Sequence, residues 1–173
     1  MQKVLDNIEN IVEEGGQFRM IVTGFSMLPL LGYGHDHIIV RRTDLSEPIL
    51  GRIAMFRAPN RRIIVHRVIA IDGDKVTFHG DGNLAQTEEC SRKDVIGVVD
   101  TVIRQNGKEV SCTTRWWHIR ERIWLAQPMI IRRYALAIMR RWLNFKRRRS
   151  LWTYELDTAL MYTHLPMVCG WCF

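Results

Sequence analysis

The chain has 173 residues, 47% of them hydrophobic and 25% charged, with a formal net charge of +7. That length supports one self-sufficient core, and the composition excludes a disordered chain, a collagen-like repeat and a disulfide scaffold. No window holds about 18 uninterrupted apolar residues, so no transmembrane helix is expected. The charge is uneven. Eleven Lys and Arg lie between Arg115 and Arg149 against Glu121 alone, which leaves the rest of the chain mildly acidic.

In residues 1–16, Val4, Leu5, Ile8, Ile11 and Val12 recur at helical spacing and Gly15-Gly16 ends the pattern. One short amphipathic helix is expected, too small to be a helix-turn-helix DNA reader. Asp6, Glu9, Glu13 and Glu14 precede any apolar stretch and no basic start is present, which does not suit a secretory signal. A cytoplasmic location follows as the expectation. From 17 to 114 the texture turns to short β-type runs: Phe18–Thr23, His37–Arg41, Arg52–Arg57, Ile63–Ile71, Lys75–His79, Val95–Ile103 and Lys108–Cys112. Turn signals separate them at Pro59-Asn60, Asp72-Gly73-Asp74, Gly80-Asp81-Gly82-Asn83 and Asn106-Gly107, the last predicting a two-residue hairpin. Strands without intervening helices make the fold mainly β, an antiparallel, coiled or barrel-like sheet. Residues 115–149 are helical again: Trp116 to Gln127, then Pro128 and Met129 to Arg149, with arginines interleaved among apolar residues. Residues 150–173 form an apolar, aromatic tail without clean periodicity, ending in Cys169-Gly-Trp-Cys172. A single CxxC suits either a metal or redox pair or two thiols in a tail. Cys90 and Cys112 read as small hydrophobes.

Three pieces carry chemistry. In Thr23-Gly24-Phe25-Ser26-Met27-Leu28-Pro29-Leu30 a serine follows a strand that ends in glycine and meets apolar residues and a proline. Gly24 permits a tight bend and Pro29 stiffens the exit, which holds a hydroxyl at the mouth of an apolar groove. In Ile63-Ile64-Val65-His66-Arg67-Val68-Ile69, alternation puts Ile64, His66 and Val68 on one face, and both faces are mostly apolar. Desolvation favours a neutral imidazole, the form that accepts a proton from a serine. The third piece, His79-Gly80-Asp81-Gly82-Asn83, carries an acid into a Gly-rich turn. It lacks the lysine-serine of a phosphate loop. His35-Asp36-His37 is explained by a polar loop before a strand, and neither a metal nor a cofactor is expected.

In this order, the pieces resemble the signal peptidase family, the S26 serine peptidases and their S24 LexA-like relatives. The matching boxes are Gly24-Phe25-Ser26-Met27-Leu28-Pro29, Gly51-Arg52-Ile53-Ala54-Met55-Phe56, Val65-His66-Arg67-Val68-Ile69 and Gly80-Asp81-Gly82-Asn83, with Ile96-Gly97-Val98-Val99 as a closing strand. The resemblance covers roughly residues 18 to 103. It implies a coiled antiparallel β-domain at 17–114 and a serine endopeptidase acting through an acyl-enzyme. Ser26 resembles the nucleophile and His66 the general base, as in the histidine branch of the family. Histidine needs less environmental tuning than the lysine of the common bacterial form, whose ordinary pKa lies far above neutrality. Asp81 resembles the acid that orients the imidazole or holds the site together. Gly24, Phe25, Met27, Leu28 and Pro29 fall where the family binds substrate and the oxyanion.

Three positions depart from the family pattern. Gly24 stands where many relatives carry a hydroxyl that helps bind the oxyanion, which leaves that task to backbone N–H groups such as that of Ser26. Arg52 replaces an acid in the second box. Thr87 stands where the histidine branch has its second acid, with Glu88 and Glu89 just after it, so Asp81, Glu88 and Glu89 are all open as partners of His66. The expected partner is a peptide or precursor protein. The stretch from Trp116 to Arg149 suits either an anionic membrane surface, which would make the protein peripheral on the inner face, or a helical hairpin packed on the β-domain with a solvated basic face. Two other functions remain open: a LexA-like self-cleaving peptidase, and a non-catalytic module that binds membrane or nucleic acid through the basic helices.

Overall fold

A computed structural model of the chain describes residues 16–44, 46–59 and 61–145. The expected N-terminal helix, the tail at 150–173 with Cys169 and Cys172, and residues 146–149 lie outside the described residues. The chain divides into two compact units, 1–136 and 137–173.

The first unit is built on eight antiparallel strands: β1 (Gln17–Ile21), β2 (His37–Arg41), β3 (Ile53–Arg57), β4 (Ile63–Asp72), β5 (Lys75–His79), β6 (Thr87–Ser91), β7 (Val95–Ile103) and β8 (Glu109–Ser111). Their order in the sheet is β1-β2-β7-β3-β4-β5-β6, with β8 also paired to β7. Bulges at Ile39/Val40, Met55/Phe56 and Val68/Ala70 shift the register and bend the sheet. The runs rich in Val, Ile and Phe became strands where expected. The unforeseen strand is β6, Thr-Glu-Glu-Cys-Ser, a sheet edge whose one strand partner among the described residues is β5. The hairpin between β7 and β8 closes differently from expectation. Arg104 and Lys108 pair across a three-residue loop, with Gly107 at φ +78°.

Two apolar clusters sandwich the middle of the sheet. Ile53 and Met55 of β3 pack with Val22, Leu31, Val40, Val99 and Trp117, while Ala54 and Phe56 pack with Ile49, Val68, Val76 and Phe78. A strand buried on both faces reads as a continuous apolar run, which is why β3 shows no alternation. Phe56 and Phe78 stack with ring centroids 3.8 Å apart.

The helix α1 (Arg115–Leu125) begins at Thr114, whose hydroxyl accepts from Trp117 N. Its inner side inserts Trp117 into the first cluster, so this helix belongs with the sheet. Residues 129–145 are helical as well. Among the described residues no helix is long and apolar enough to cross a membrane.

Candidate active site

Among the described residues β1 is an edge strand, and β4 pairs with β5 only from Arg67 onward, so the segment Ile63–His66 bonds to β3 on one side and has no strand partner on the other. These two free edges line one cavity of about 330 Å³, together with Thr23, Gly24, Ser26, Met27, Asn83 and Glu88. Met20, Val22, Leu31 and Ile38 give it apolar walls. Ser26 and His66, brought forward from different parts of the sequence, therefore share a single site.

His66 is 4% exposed. Its Nδ1 lies 2.8 Å from Glu88 Oε2. An ionised carboxylate only accepts hydrogen bonds, so in the neutral ring Nδ1 carries the proton and Nε2 keeps a lone pair. Nε2 faces the Gly80 turn: a Cβ on Gly80 would sit 3.0 Å from it and 2.6 Å from the carbonyl oxygen of Ser26. The serine loop and the accepting nitrogen thus meet at one glycine, and only a residue without a side chain fits there.

The turn that carries Gly80 also buttresses the serine. Gly82 N donates to Ser26 O at 2.7 Å and Asn83 N to Gly80 O at 2.9 Å. A Cβ on Gly82 would collide with Phe25 O at 2.6 Å. Asp81, at the centre of the turn, is fully buried and serves Arg67: Oδ1 accepts from Nε at 2.8 Å and Oδ2 from Nη2 at 2.7 Å. Consecutive residues of a strand point to opposite faces, so His66 turns to Glu88 while Arg67 turns to Asp81. Of the three acids left open by the sequence, Glu88 is the one on the imidazole. Asp81 holds the site together, and Glu89 pairs with Lys75 at the surface.

Arg67 has further partners that the sequence did not announce. Nη1 donates to Gly51 O at 2.6 Å and to Glu121 Oε1 of α1 at 2.8 Å. Glu121 Oε1 also accepts from Trp117 Nε1 at 2.6 Å. Two carboxylates raise the pKa of the Arg67 guanidinium against the opposing effect of its burial. From the same side Trp124 Nε1 and Arg132 Nη2 both donate to Asp81 O, at 3.1 and 3.0 Å, and Arg132 lies over the Trp124 ring. The neighbouring His79 is half-buried, and desolvation, then the charge of Arg132, lower its pKa.

Phe25, Leu28 and Pro29, also expected at the site, support the loop and do not line the cavity. Phe25 packs on Tyr33 with centroids 4.3 Å apart, Leu28 is buried, and the Leu28–Pro29 peptide is cis. Gly24 lines the cavity, with its ideal Cβ position 3.7 Å from Ser26 Oγ. Arg52 pairs with Glu47 at 2.9 Å. Asp36, from the His-Asp-His run, accepts from Gly32 N and bonds Arg104. Among the described residues no three His, Cys, Asp or Glu side chains are grouped to hold a metal ion. No protein-family model matches the chain, and no curated protein matches it.

Proposed function

We propose that the protein is a serine endopeptidase of the signal peptidase-like S24/S26 class, cleaving a peptide or precursor protein through an acyl-enzyme on Ser26. The observation that carries this is the 2.8 Å pair between buried His66 and half-buried Glu88, which opens with Ser26 onto one cavity between two strand edges that the described residues leave unpaired. His66 Nε2 takes the hydroxyl proton as Ser26 Oγ attacks the peptide carbonyl. The same nitrogen then returns that proton to the leaving amine. Glu88 fixes the tautomer and stabilises the imidazolium as it forms. An extended substrate adds as a strand to β1 and to the Ile63–His66 edge, with one side chain lowered among Met20, Val22, Leu31 and Ile38.

The test is mass spectrometry of a complex peptide mixture incubated with the full chain, beside Ser26→Ala, His66→Ala and Glu88→Gln. The expected result is a defined set of new termini that vanishes in the first two variants. In the third, turnover falls about 10²- to 10⁴-fold, the range for a general base that loses its orientation. Identical cleavage by wild type and Ser26→Ala would sink the proposal.

A further inference from the structure

We infer that the outward face of α1 docks on an anionic lipid bilayer surface. The helix has two apolar stripes. Trp117, Glu121 and Trp124 form the inner one, fully engaged with the core, with Arg67 and with the Asp81 turn. At 100° per residue Trp116, Ile119 and Ile123 form a second stripe, roughly 130° around the helix from the inner one, with Arg120 along one flank and Arg115 and Arg122 along the other. Trp116 is 75% exposed, Ile119 43% and Ile123 60%. Met129 and Ile130, after Pro128, are exposed as well. Among the described residues, the contacts that dock α1 on the sheet are made by the inner stripe, and Trp116, Ile119 and Ile123 have no place in either apolar cluster.

Charge selects the occupant. The one acid of α1, Glu121, is turned inward onto Arg67, which leaves Arg115, Arg120 and Arg122 as the charges beside the outer stripe. A second copy of the chain would set arginine against arginine. Nucleic acid would satisfy the arginines through its phosphates but offers no apolar receptacle for Ile119 and Ile123. A bilayer with anionic headgroups accepts all three kinds of side chain. The isoleucines enter the acyl boundary, the indole sits at headgroup level, and the arginines reach out to lipid phosphates. Attraction of a basic residue to such a surface is worth about fivefold in partitioning, so three are worth about a hundredfold.

The experiment is co-sedimentation of the full chain with vesicles of phosphatidylcholine alone and of phosphatidylcholine with a minority of phosphatidylglycerol, at low and high salt. The wild type is compared with Trp116→Ser/Ile119→Ser/Ile123→Ser and Arg115→Gln/Arg120→Gln/Arg122→Gln. All six positions are on the helix surface, and thermal melting verifies folding, with the single variants Ile123→Ser and Arg122→Gln as milder alternatives. We expect binding to the anionic vesicles that weakens with salt, falls about a hundredfold in the arginine variant and is lost in the apolar one. Three results would overturn the inference. The first is no binding to anionic vesicles. The second is binding unchanged in both variants. The third is self-association or duplex DNA binding that depends on these residues while vesicles are ignored.

Discussion

Removing Glu121 tests how firmly α1 is tied to the candidate site. Glu121→Ala strips one oxygen from both Arg67 Nη1 (2.8 Å) and Trp117 Nε1 (2.6 Å). Arg67 keeps the bidentate pair with Asp81 and the Gly51 carbonyl, so its charge stays compensated. The full loss of about 3–5 kcal/mol for a broken buried ion pair is therefore not expected. What remains is two buried donors short of an acceptor, at about 1–3 kcal/mol each before water reaches them, and a net loss of about 2–4 kcal/mol follows. Glu121→Gln keeps an oxygen for both donors and gives up one of the two carboxylate charges on Arg67 while the bidentate Asp81 pair remains, so it costs only about 1 kcal/mol. Asp81→Ala leaves Arg67 with a single carboxylate and two empty N–H groups, and costs about 3–5 kcal/mol. Guanidinium unfolding with an unchanged slope measures all three, and the alanine variant at 121 should also melt about 4–16 °C lower. If Glu121→Ala stays within about 0.5 kcal/mol of wild type, or if Gln costs as much as Ala, the network does not tie the helix to the site.

Gly80→Ala drives a methyl group into Ser26 O and His66 Nε2, so it should destabilise the fold by about 1–3 kcal/mol and abolish any cleavage that depends on Ser26. Unfolding midpoints and the peptide assay check both effects. Glu47 has its pKa lowered below 4.5, first by its hydrogen bond to Arg41. A depressed folded-state pKa contributes stability above the unfolded value and loses it as pH falls through the folded one. Glu47→Gln should thus be less stable than wild type at neutral pH, with the gap shrinking below pH 4.5 in a denaturation series. Burial pushes the thiols of Cys90 and Cys112 up to about 12. Neither should be alkylated by iodoacetamide at pH 8 in the native protein, whereas both should be in denaturant, as read by peptide mapping.

Strands β2, β3, β4, β5 and β7 were legible because β-branched and aromatic residues mark a chain that packs on a sheet. The turns between them were legible because Gly, Asn and Asp take backbone angles that other residues avoid. β6 was not. An edge strand with its outer side in water needs no apolar face, so Thr87–Ser91 carries no period for a reader to find. With β6 went the partner of His66. Glu88 and Glu89 are adjacent in the sequence, and only the register Phe78↔Glu88 and Thr77↔Glu89 sends one to the imidazole and the other to Lys75.

The helices after Thr114 were legible as helices, from the spacing of their apolar residues, but not in what they hold. The bond between Arg67 and Glu121 spans 54 positions, and nothing in either local segment marks the other. By itself, the sequence determined which segments form strands and helices and that a serine, a histidine and a glycine turn follow one another in order, since those depend on neighbouring residues. The tertiary structure alone decided which carboxylate serves His66, which serves Arg67 and which face of α1 is left outside. Partners of buried charges are chosen by the proximity of distant segments, and that is a property of the packed chain.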